Sequence, residues 1–261
     1  MKVLVTDELS QEGLDMLTKG SDIQVDVRPK LAHEELLKMI GEYDALIVRS
    51  GTKVTAEVIE AGKRLRVIGR AGVGVDNVDV EAATRRGVLV MNTPAANIIS
   101  AAEHTMAMML TLARNIPRAD ASVKAGKWER SKFTGVELMG KTLGIVGIGR
   151  VGGEVAKRAK AFQMKLVGYD PYISQELAVK LGVRILPLEK VLEEADFITI
   201  HTPLTPTTHH LIGREQLALM KPSAFVVNCA RGGIIDEDAL YEALKDRRIA
   251  GAALDVFEDE P

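Results

Sequence analysis

A glycine-rich turn constrains the fold of this chain more than any other feature. The sequence Gly147-Ile148-Gly149-Arg150-Val151-Gly152 follows an apolar run at residues 142–146. It precedes a stretch whose apolar residues, Val155, Ala156, Ala159 and Phe162, have the spacing of one helix face. The apolar run predicts a buried parallel strand. A second short run at residues 165–169 ends in Asp170, about 20 residues beyond the glycines. Strand, turn, helix, second strand and terminal acid in this order predict a dinucleotide-binding unit.

Each glycine of this turn has a separate expected role. Gly147 permits the tight turn, Gly149 lets the backbone approach a pyrophosphate, and Gly152 lets helix and strand pack closely. The N–H groups and the dipole at the helix start favour phosphate. Asp170 can accept hydrogen bonds from a ribose 2′-OH and would repel a 2′-phosphate, and residues 171–174 supply no arginine to offset that repulsion. The turn therefore predicts NAD as cofactor rather than NADP.

Bulk properties narrow the class of protein. A length of 261 residues predicts about two domains, and an apolar content of 46% argues against intrinsic disorder. The net charge of -2 gives no electrostatic case for nucleic acid or an anionic membrane. Cys229 is the only cysteine, which fits a reducing compartment, and the longest apolar stretch, at 106–112, is too short to span a bilayer. We expect a soluble, cytoplasmic protein with neither nucleic acid nor membrane as partner.

Runs typical of strands alternate with helical patterns along the whole chain. This alternation predicts parallel sheets with helices on both faces. The expected fold class is α/β, with two doubly wound parallel-sheet domains at residues 1–96 and 97–261. Strands are predicted at 3–5, 23–25, 45–48, 67–69, 88–90, 142–146, 165–169, 197–200, 224–227 and 252–254. Helices are predicted at 34–40, 81–86, 98–114, 188–194 and 236–245, and Ser10 is a candidate cap for a further helix.

Ligands of such sheets bind beyond the carboxyl ends of the strands, so the residues there are site candidates. Arg231, between a predicted strand and two glycines, can reach a carboxylate or carbonyl with a bidentate fork, or form a structural salt bridge. Asp255 can hold the amide of a cofactor or cap the following turn. In the acidic run 258–260, solvation is the default for two of the three residues. Arg49 and Arg70 stand beside glycine-rich turns and can bind an anionic substrate, with surface salt bridges as the alternative.

The histidines give little indication of function. His201 ends a predicted strand and can face the cofactor, although a hydrogen-bonded core histidine is the more common case. His209 and His210 lie in a polar loop and are expected to be solvated. His33 and His104 lie in helical patterns without metal-ligand spacing to another His, Cys or carboxylate. We predict no metal site.

Taken together, these residues resemble the D-isomer-specific 2-hydroxyacid dehydrogenases. The resemblance implies a flavodoxin-like substrate domain followed by a Rossmann NAD-binding domain. The substrate domain is expected to be incomplete here, because it lacks its C-terminal return segment. It also implies NAD-dependent hydride transfer to or from a small anionic 2-hydroxy acid. A histidine of the family donates or accepts the hydroxyl proton. The matching motifs occur in the family's order at residues 69–79, 92–94, 102–105, 126–130, 140–144, 201–203, 228–233 and 253–257.

The resemblance assigns roles to individual residues. Arg231 would orient the substrate carboxylate and carbonyl, and Glu260 would pair with the catalytic histidine. The segment around Trp128 and the preceding helix would form the contact of a homodimer or homotetramer. The implied substrate contacts are Arg49, Arg70, Val73, Gly74 and Asn97. The implied cofactor contacts are Gly147, Gly149, Arg150, Val151, Gly152, Asp170, Thr202, Cys229, Ala230 and Asp255.

One family feature is missing from the sequence. The family's catalytic histidine lies in a Pro-His motif shortly after the Glu-Pro element found here at 260–261, and none of the 5 histidines has that context. We therefore expect a catalytic core that ends before this histidine and that binds NAD(H) with little or no turnover by itself. The resemblance implies a phosphorylated 2-hydroxy acid as substrate, and the arginines together with the Trp128 segment favour an enzyme. The alternatives are a glyoxylate, hydroxypyruvate or D-lactate enzyme, or a non-catalytic NAD-binding interaction module.

Overall fold

The computed structural model describes residues 1–19 and 22–260 and divides the chain into two compact units, Met1–Asn97 and Ile98–Pro261. Pro261, the proline of the Glu-Pro element, lies outside the described residues. Each unit is built around its own parallel sheet with helices between successive strands. The prediction of an α/β fold with doubly wound parallel sheets is confirmed.

The first unit has a five-stranded sheet in the order β2-β1-β3-β4-β5. All its strand pairs are parallel, and this order is that of flavodoxin-like doubly wound sheets. A short 3-10 helix at Ile40–Glu42 precedes the third strand. The elements are β1 (Lys2–Val5), α1 (Gln11–Thr18), β2 (Gln24–Val27), α2 (His33–Met39), β3 (Ala45–Val48), α3 (Ala56–Ala61), β4 (Val67–Arg70), α4 (Val80–Arg85) and β5 (Leu89–Asn92).

The second unit has a six-stranded sheet in the order β11-β10-β9-β6-β7-β8. Counted from the first strand of this sheet, the order is that of the dinucleotide-binding fold, with its switch point between β6 and β9. A 3-10 helix at Arg130–Phe133 precedes the sheet. The elements are α5 (Ile98–Ala113), α6 (Ile116–Lys124), β6 (Thr142–Val146), α7 (Arg150–Ala161), β7 (Lys165–Tyr169), α8 (Gln175–Leu181), β8 (Arg184–Ile185), α9 (Leu188–Glu194), β9 (Phe197–Ile200), α10 (Arg214–Leu219), β10 (Phe225–Asn228), α11 (Glu237–Lys245) and β11 (Gly251–Leu254).

The central strands of the second sheet are buried on both faces. All residues of β9 are buried, as expected for a parallel strand covered by helices on each side. On α7, the predicted apolar face at Val155, Ala156 and Ala159 packs into the core. Phe162, which the helical spacing included in that face, lies at the helix C-cap and is 41% exposed. In the described part of the chain, no helix combines the length and apolar character needed to cross a membrane.

Predicted and observed strands differ by up to two residues at the edges of the sheets and by one residue at the interior strands β1, β4 and β10. The strands at 45–48, 142–146, 165–169 and 197–200 have the predicted bounds. Edge strands β2, β5 and β11 are shifted or extended by one or two residues, and the two-residue edge strand β8 was missed. Because an edge strand pairs on one side only, its ends are fixed by its neighbour rather than by its own apolar run. The proposed cap of α1 is confirmed, since Ser10 Oγ accepts a hydrogen bond from the Gly13 N–H at 3.3 Å.

Gly144, in the middle of β6, lies directly under helix α9. A Cβ at this position would lie 2.8 Å from Cγ1 of Val191 and 2.9 Å from Cβ of Ala195. Both distances are shorter than van der Waals contact, so only glycine allows this helix to approach the sheet. Gly153 in α7 is different, because a Cβ there would meet only Cδ1 of Leu181 at an ordinary 3.6 Å.

We predict opposite effects of alanine at these two buried glycines. Gly144→Ala overpacks the helix–sheet contact and should lower the free energy of unfolding by about 1–3 kcal/mol. Gly153→Ala should raise it by about 0.5–1 kcal/mol, because alanine is the better helix former and finds room. Urea unfolding of both variants measures the difference. Equal shifts in the two variants would contradict the packing argument.

Candidate functional site

The glycine turn joins β6 to α7 and is held against the chain that leaves β9. Gly147 has φ 89°, in the left-handed region that favours glycine. A Cβ on Gly147 would lie 2.8 Å from the carbonyl carbon of His201 and 2.9 Å from Cγ2 of Thr202. A Cβ on Gly152 would overlap the carbonyl oxygen of Gly147. Both positions therefore require glycine for packing, in agreement with the turn and packing roles expected of them.

Gly149 differs from the other two glycines because it faces open space. It is the N-cap of α7, is exposed, and a Cβ on it would meet no atom within 4 Å. Because glycine has no side chain, no side-chain group caps the N–H groups of the first turn, which starts at Arg150 and Val151. The positive end of this 12-residue helix therefore faces the open space above Gly149. Such a helix start is suited to bind phosphate.

Asp170, directly after β7, is bound to the backbone of the same turn. Its carboxylate accepts hydrogen bonds from the Ile148 N–H at 2.7 Å and from the Tyr172 N–H at 2.8 Å. An ionised carboxylate has about four acceptor positions. Asp170 is half-buried and retains acceptor capacity for ribose hydroxyls, which is the geometry that the sequence predicts for a ribose-binding acid.

Thr202, on the segment that faces the glycine turn, has a buried hydroxyl without a partner. Among the residues that the structure describes, its Oγ1 is the one buried side-chain oxygen or nitrogen without a hydrogen bond. A buried hydroxyl left unpaired costs about 1–3 kcal/mol. The open helix start, the glycines that leave room above it and this unpaired hydroxyl together fit a bound dinucleotide.

Asn228 shapes the loop that follows β10. This residue is buried, its Nδ2 donates to the Arg231 carbonyl at 2.8 Å, and its Oδ1 accepts from the Ala230 N–H at 3.0 Å. The guanidinium of Arg231 donates to the Ala230 carbonyl at 2.6 Å. The position of Arg231 is therefore set by a buried amide that sequence reasoning did not single out. Both predicted roles of Arg231, substrate binding and salt bridging, stay predictions.

The segment after β11 packs against this loop. A Cβ on Gly232 would overlap the carbonyl oxygen of Phe257, and the Asp255 N–H donates to the Asn228 carbonyl at 3.0 Å. The carboxylate of Glu260 accepts from the Phe257 N–H at 2.9 Å, so it folds back onto its own segment. The structure thus brings the loops of both predicted catalytic residues, Arg231 and Glu260, into direct contact.

Glu258 lies next to two histidines that were expected to be solvated. Its Oε1 is 3.1 Å from His210 Nε2 and 3.5 Å from His209 Nε2. The two imidazole rings stack with their centroids 3.9 Å apart. The expectation of solvated side chains is therefore incomplete, since all three are at the surface but in contact with one another. The contact joins positions 48 residues apart in sequence, which no local pattern reveals.

Asp255 faces His104, a residue that sequence reasoning left in an ordinary helical pattern. The Asp255 Oδ1 and the His104 Nε2 are 3.2 Å apart. Cys229 Sγ completes a group whose ligand atoms all lie within 4.8 Å of one another. Burial raises the pKa of the Cys229 thiol, a contact with Thr105 opposes this, and the nearby Asp255 carboxylate raises it further. Helix α5 packs over β10 and β11 and thereby carries His104 to their carboxyl ends.

His201 is a hydrogen-bonded histidine, as the sequence favoured. Its Nε2 is 2.9 Å from Oγ1 of Thr199, and burial lowers the pKa of the ring from 6.5 to about 4. The neutral imidazole is therefore the stable form at neutral pH. Such a group is a poor general base near pH 7, because efficient proton transfer needs a pKa close to the working pH.

In the first unit, Asn77 links the two predicted substrate arginines. Arg49 follows β3 and Arg70 ends the neighbouring β4, so both stand at the same edge of the sheet. The Arg70 Nε donates to Asn77 Oδ1 at 3.2 Å, and the Asn77 amide donates to the Arg49 carbonyl at 2.6 Å. The Arg49 guanidinium is exposed and reaches the Glu8 carbonyl at 3.5 Å.

The turn after β4 carries Val73 and Gly74. The Val73 carbonyl accepts a hydrogen bond from the Asn92 side chain at 2.6 Å, and Gly74 is half-buried beside it. Arg70 folds over the start of this turn, since a Cβ on Gly72 would overlap its guanidinium. Asn97, the remaining predicted substrate contact, is exposed immediately before α5.

Comparison with known proteins decides the family. A family model described as the NAD binding domain of the D-isomer specific 2-hydroxyacid dehydrogenases matches residues 106–261. The chain belongs to this family. The prediction of an NAD-binding domain, made from the glycine turn, is therefore confirmed for the second unit.

Individual relatives of this chain agree with the family model. A D-3-phosphoglycerate dehydrogenase of Methanocaldococcus jannaschii is 58% identical over 100% of this chain and 50% of its own length. A crystal structure of a Thermus thermophilus protein has a TM-score of 0.91 at 41% identity and covers 100% of this chain and 83% of its own. D-Lactate dehydrogenase from Aquifex aeolicus, complexed with NAD and lactic acid, has a TM-score of 0.87 at 32% identity and covers 99% and 78%. The chain spans about half the length of the curated relatives it matches.

We predict that Gly149→Ala weakens NADH binding without unfolding the domain. Its Cβ meets no protein atom, so stability should change little, but the methyl group occupies the space above the helix start. The dissociation constant for NADH should rise on the order of tenfold or more, equivalent to about 1.4 kcal/mol. NADH fluorescence titration measures it. Gly153→Ala, four residues along the same helix, is the matched control and should bind NADH like the wild type.

We also predict that His201 makes the domain less stable as the pH falls. The unfolded chain binds a proton near pH 6.5, whereas the folded state resists protonation until about pH 4. The free energy of unfolding should therefore decrease as the pH falls from 6.5 toward 4. His201→Gln, which cannot titrate, should remove up to about 3 kcal/mol of this decrease. Urea unfolding across this pH range measures it, with His33→Gln as the exposed-histidine control. An unchanged pH dependence in His201→Gln would show that burial does not control this ring.

Proposed function

We propose that the protein is an NAD-dependent dehydrogenase that oxidises D-3-phosphoglycerate to 3-phosphohydroxypyruvate, the first step of phosphorylated serine biosynthesis. The observation that supports this most is the identity of 54–58% to D-3-phosphoglycerate dehydrogenases across the whole chain. Solved relatives named for lactate or glyoxylate reach 30–32%. The substrate assignment follows this difference in similarity.

The cofactor half of this proposal rests on the second unit. Arg150, Val151 and the glycines of the turn bind the pyrophosphate, and Asp170 binds the adenosine ribose. The unpaired hydroxyl of Thr202 would form a hydrogen bond with the cofactor, and Cys229, Ala230 and Asp255 would contact its nicotinamide end. When bound, NAD supplies the acceptor for the hydride that leaves C2 of the substrate. The negative charge of Asp170 supports NAD over NADP, because a 2′-phosphate would be repelled.

The substrate half rests on cationic and backbone groups. Arg231 orients the substrate carboxylate and polarises the oxygen on C2, for which its guanidinium fork is well suited. Arg49, Arg70 and Asn97 would meet the anionic groups of the substrate, with the Val73-Gly74 backbone close by. A phosphorylated acid carries more negative charge than lactate, which is consistent with several cationic side chains in this assignment.

The reaction also needs a base for the hydroxyl proton. Glu260 is proposed to pair with the catalytic histidine and hold its imidazole in position. His201 is unsuited to this task because its pKa is about 4. The curated relatives are about twice as long as this chain, and none of the 5 histidines of the sequence is assigned to this role.

We further propose self-association through the segment around Trp128. The side chain of Trp128 is 77% exposed, and two apolar residues of the preceding helix, Ile116 and Val123, are 50% and 57% exposed. Large exposed aromatic residues are typical anchors of protein interfaces. This supports a homodimer or homotetramer.

The proposed activity is tested by NADH formation. A form of the protein extended to the length of its relatives should reduce NAD with D-3-phosphoglycerate, with D-lactate and D-glycerate as much poorer substrates. The 261-residue chain should bind NADH but turn over slower by about 10²–10⁴-fold, the usual contribution of general acid–base catalysis. Arg231→Lys should lower kcat/KM while NADH binding persists, and the exposed Arg214→Lys serves as its matched control.

Two outcomes would contradict this assignment. An extended protein that binds NAD but oxidises no 2-hydroxy acid would favour the non-catalytic NAD-binding module. An extended protein that prefers D-lactate or glyoxylate chemistry would retain the family and overturn the substrate. Arg49→Gln distinguishes a phosphorylated substrate from D-lactate. If the substrate is phosphorylated, this variant should raise KM for the phosphorylated acid far more than for D-lactate.

A further inference from the structure

His104, Cys229 and Asp255 form a compact group of three potential metal ligands in the second unit, here named the His–Cys–Asp cluster. His104 lies on α5, Cys229 directly follows β10, and Asp255 directly follows β11. We propose that this cluster binds a zinc ion and that zinc and the nicotinamide end of NAD exclude each other there. The metal site stands on geometry alone, whereas the competition rests on the proposed function.

The donor atoms select the metal. A thiolate, an imidazole and a carboxylate are the mixed soft and borderline ligands that suit Zn²⁺, whereas Mg²⁺ and Ca²⁺ prefer oxygen alone. Zinc–ligand bonds of about 2.0–2.3 Å place neighbouring donors of a tetrahedron about 3.3–3.6 Å apart. The observed 3.2 Å between His104 Nε2 and Asp255 Oδ1 is close to that spacing. Both side chains are exposed and can rotate toward Cys229 Sγ, which lies within 4.8 Å.

The backbone that carries the three ligands is held rigidly. The buried Asn228 fixes the loop of Cys229, and its carbonyl accepts the Asp255 N–H at 3.0 Å, so the two loop ligands share one anchor. On α5, the fully buried Ala102 and Thr105 flank His104 and set its direction. Ligands on packed helices and strand ends keep their geometry better than ligands on free loops.

Zinc binding changes the state of the thiol. A thiol binds zinc only as the thiolate, so the sulfur of Cys229 has to lose its proton when the metal binds. Formation of the sulfur–zinc bond releases this proton to water, with no change in oxidation state. Three protein ligands leave a fourth position for water, as in open zinc sites.

A second group, His209, His210 and Glu258, is less suited to a metal. Its imidazole rings are stacked with an interplanar angle of 22° and centroids 3.9 Å apart. A metal must lie in the plane of each ligating ring, and the in-plane lone pairs of nearly parallel stacked rings do not converge on one point. This group therefore provides an internal control for the His–Cys–Asp cluster.

The test is cobalt and zinc titration of the purified protein. Co²⁺ should produce the sulfur-to-metal charge-transfer absorption that only a thiolate ligand gives, and Zn²⁺ should displace it. Substitution of a residue that only hydrogen-bonds to a metal ligand already lowers metal affinity by about 10–100-fold. Substitution of a ligand itself, as in Cys229→Ser or His104→Gln, should therefore weaken zinc binding at least about tenfold. His209→Gln should leave it unchanged. Far-UV circular dichroism confirms that each variant is folded, and His104→Gln, at an exposed position, tests the site if Cys229→Ser does not fold.

The outcomes separate the metal site from the proposed function. NADH that raises the apparent dissociation constant of zinc in proportion to its concentration would support both the site and the competition. Zinc binding together with no NADH binding at all would support the site and contradict the proposed function. A ternary complex with full affinity for both would overturn the competition. If Co²⁺ produces no charge-transfer absorption, the proposed site is wrong. It is also wrong if His209→Gln loses zinc affinity while Cys229→Ser keeps it.

Discussion

The close packing of the Gly147 turn against the end of β9 is the contact on which the cofactor site depends. A Cβ on Gly147 would lie 2.8 Å from the His201 carbonyl carbon, and one on Gly152 would overlap the Gly147 carbonyl oxygen. Because no side chain intervenes, α7 begins directly above the end of β6, at the switch point of the sheet. The hydrogen bond from Ile148 to Asp170 and the position of Thr202 both follow from this approach.

A buried amide organises the other side of the same sheet edge. Asn228 determines the conformation of the loop that carries Cys229, Ala230 and Arg231, and its carbonyl also holds Asp255. Gly232 then allows the segment after β11 to pack directly on this loop. A single polar residue with 2% exposure thereby positions a proposed substrate-binding arginine and three proposed cofactor contacts, of which Cys229 and Asp255 are also ligands of the proposed zinc site.

The central parts of both sheets could be predicted because their signals are local. The runs at 142–146, 165–169 and 197–200 have buried apolar centres, and β9 is buried along its whole length, so a local signal is enough to locate them. The edge strands β2 and β8 could not be placed equally well, since pairing with one neighbour determines where they end. In the site, the glycine turn and Asp170 follow a fixed spacing, whereas Asn77 and Asn228 act through hydrogen bonds that no spacing reveals.

The sequence by itself determined the fold class, the NAD-binding unit and the family, because glycine spacing, strand–helix alternation and the order of the motifs are all properties of neighbouring residues. Tertiary structure alone decided which distant side chains meet. His104 is paired with Asp255 and His210 with Glu258 only because helices and loops separated by many residues converge on one edge of the sheet. It also decided that Gly149 faces open space while Gly144 and Gly152 are packed. The role of each glycine depends on which atoms of distant residues lie against it.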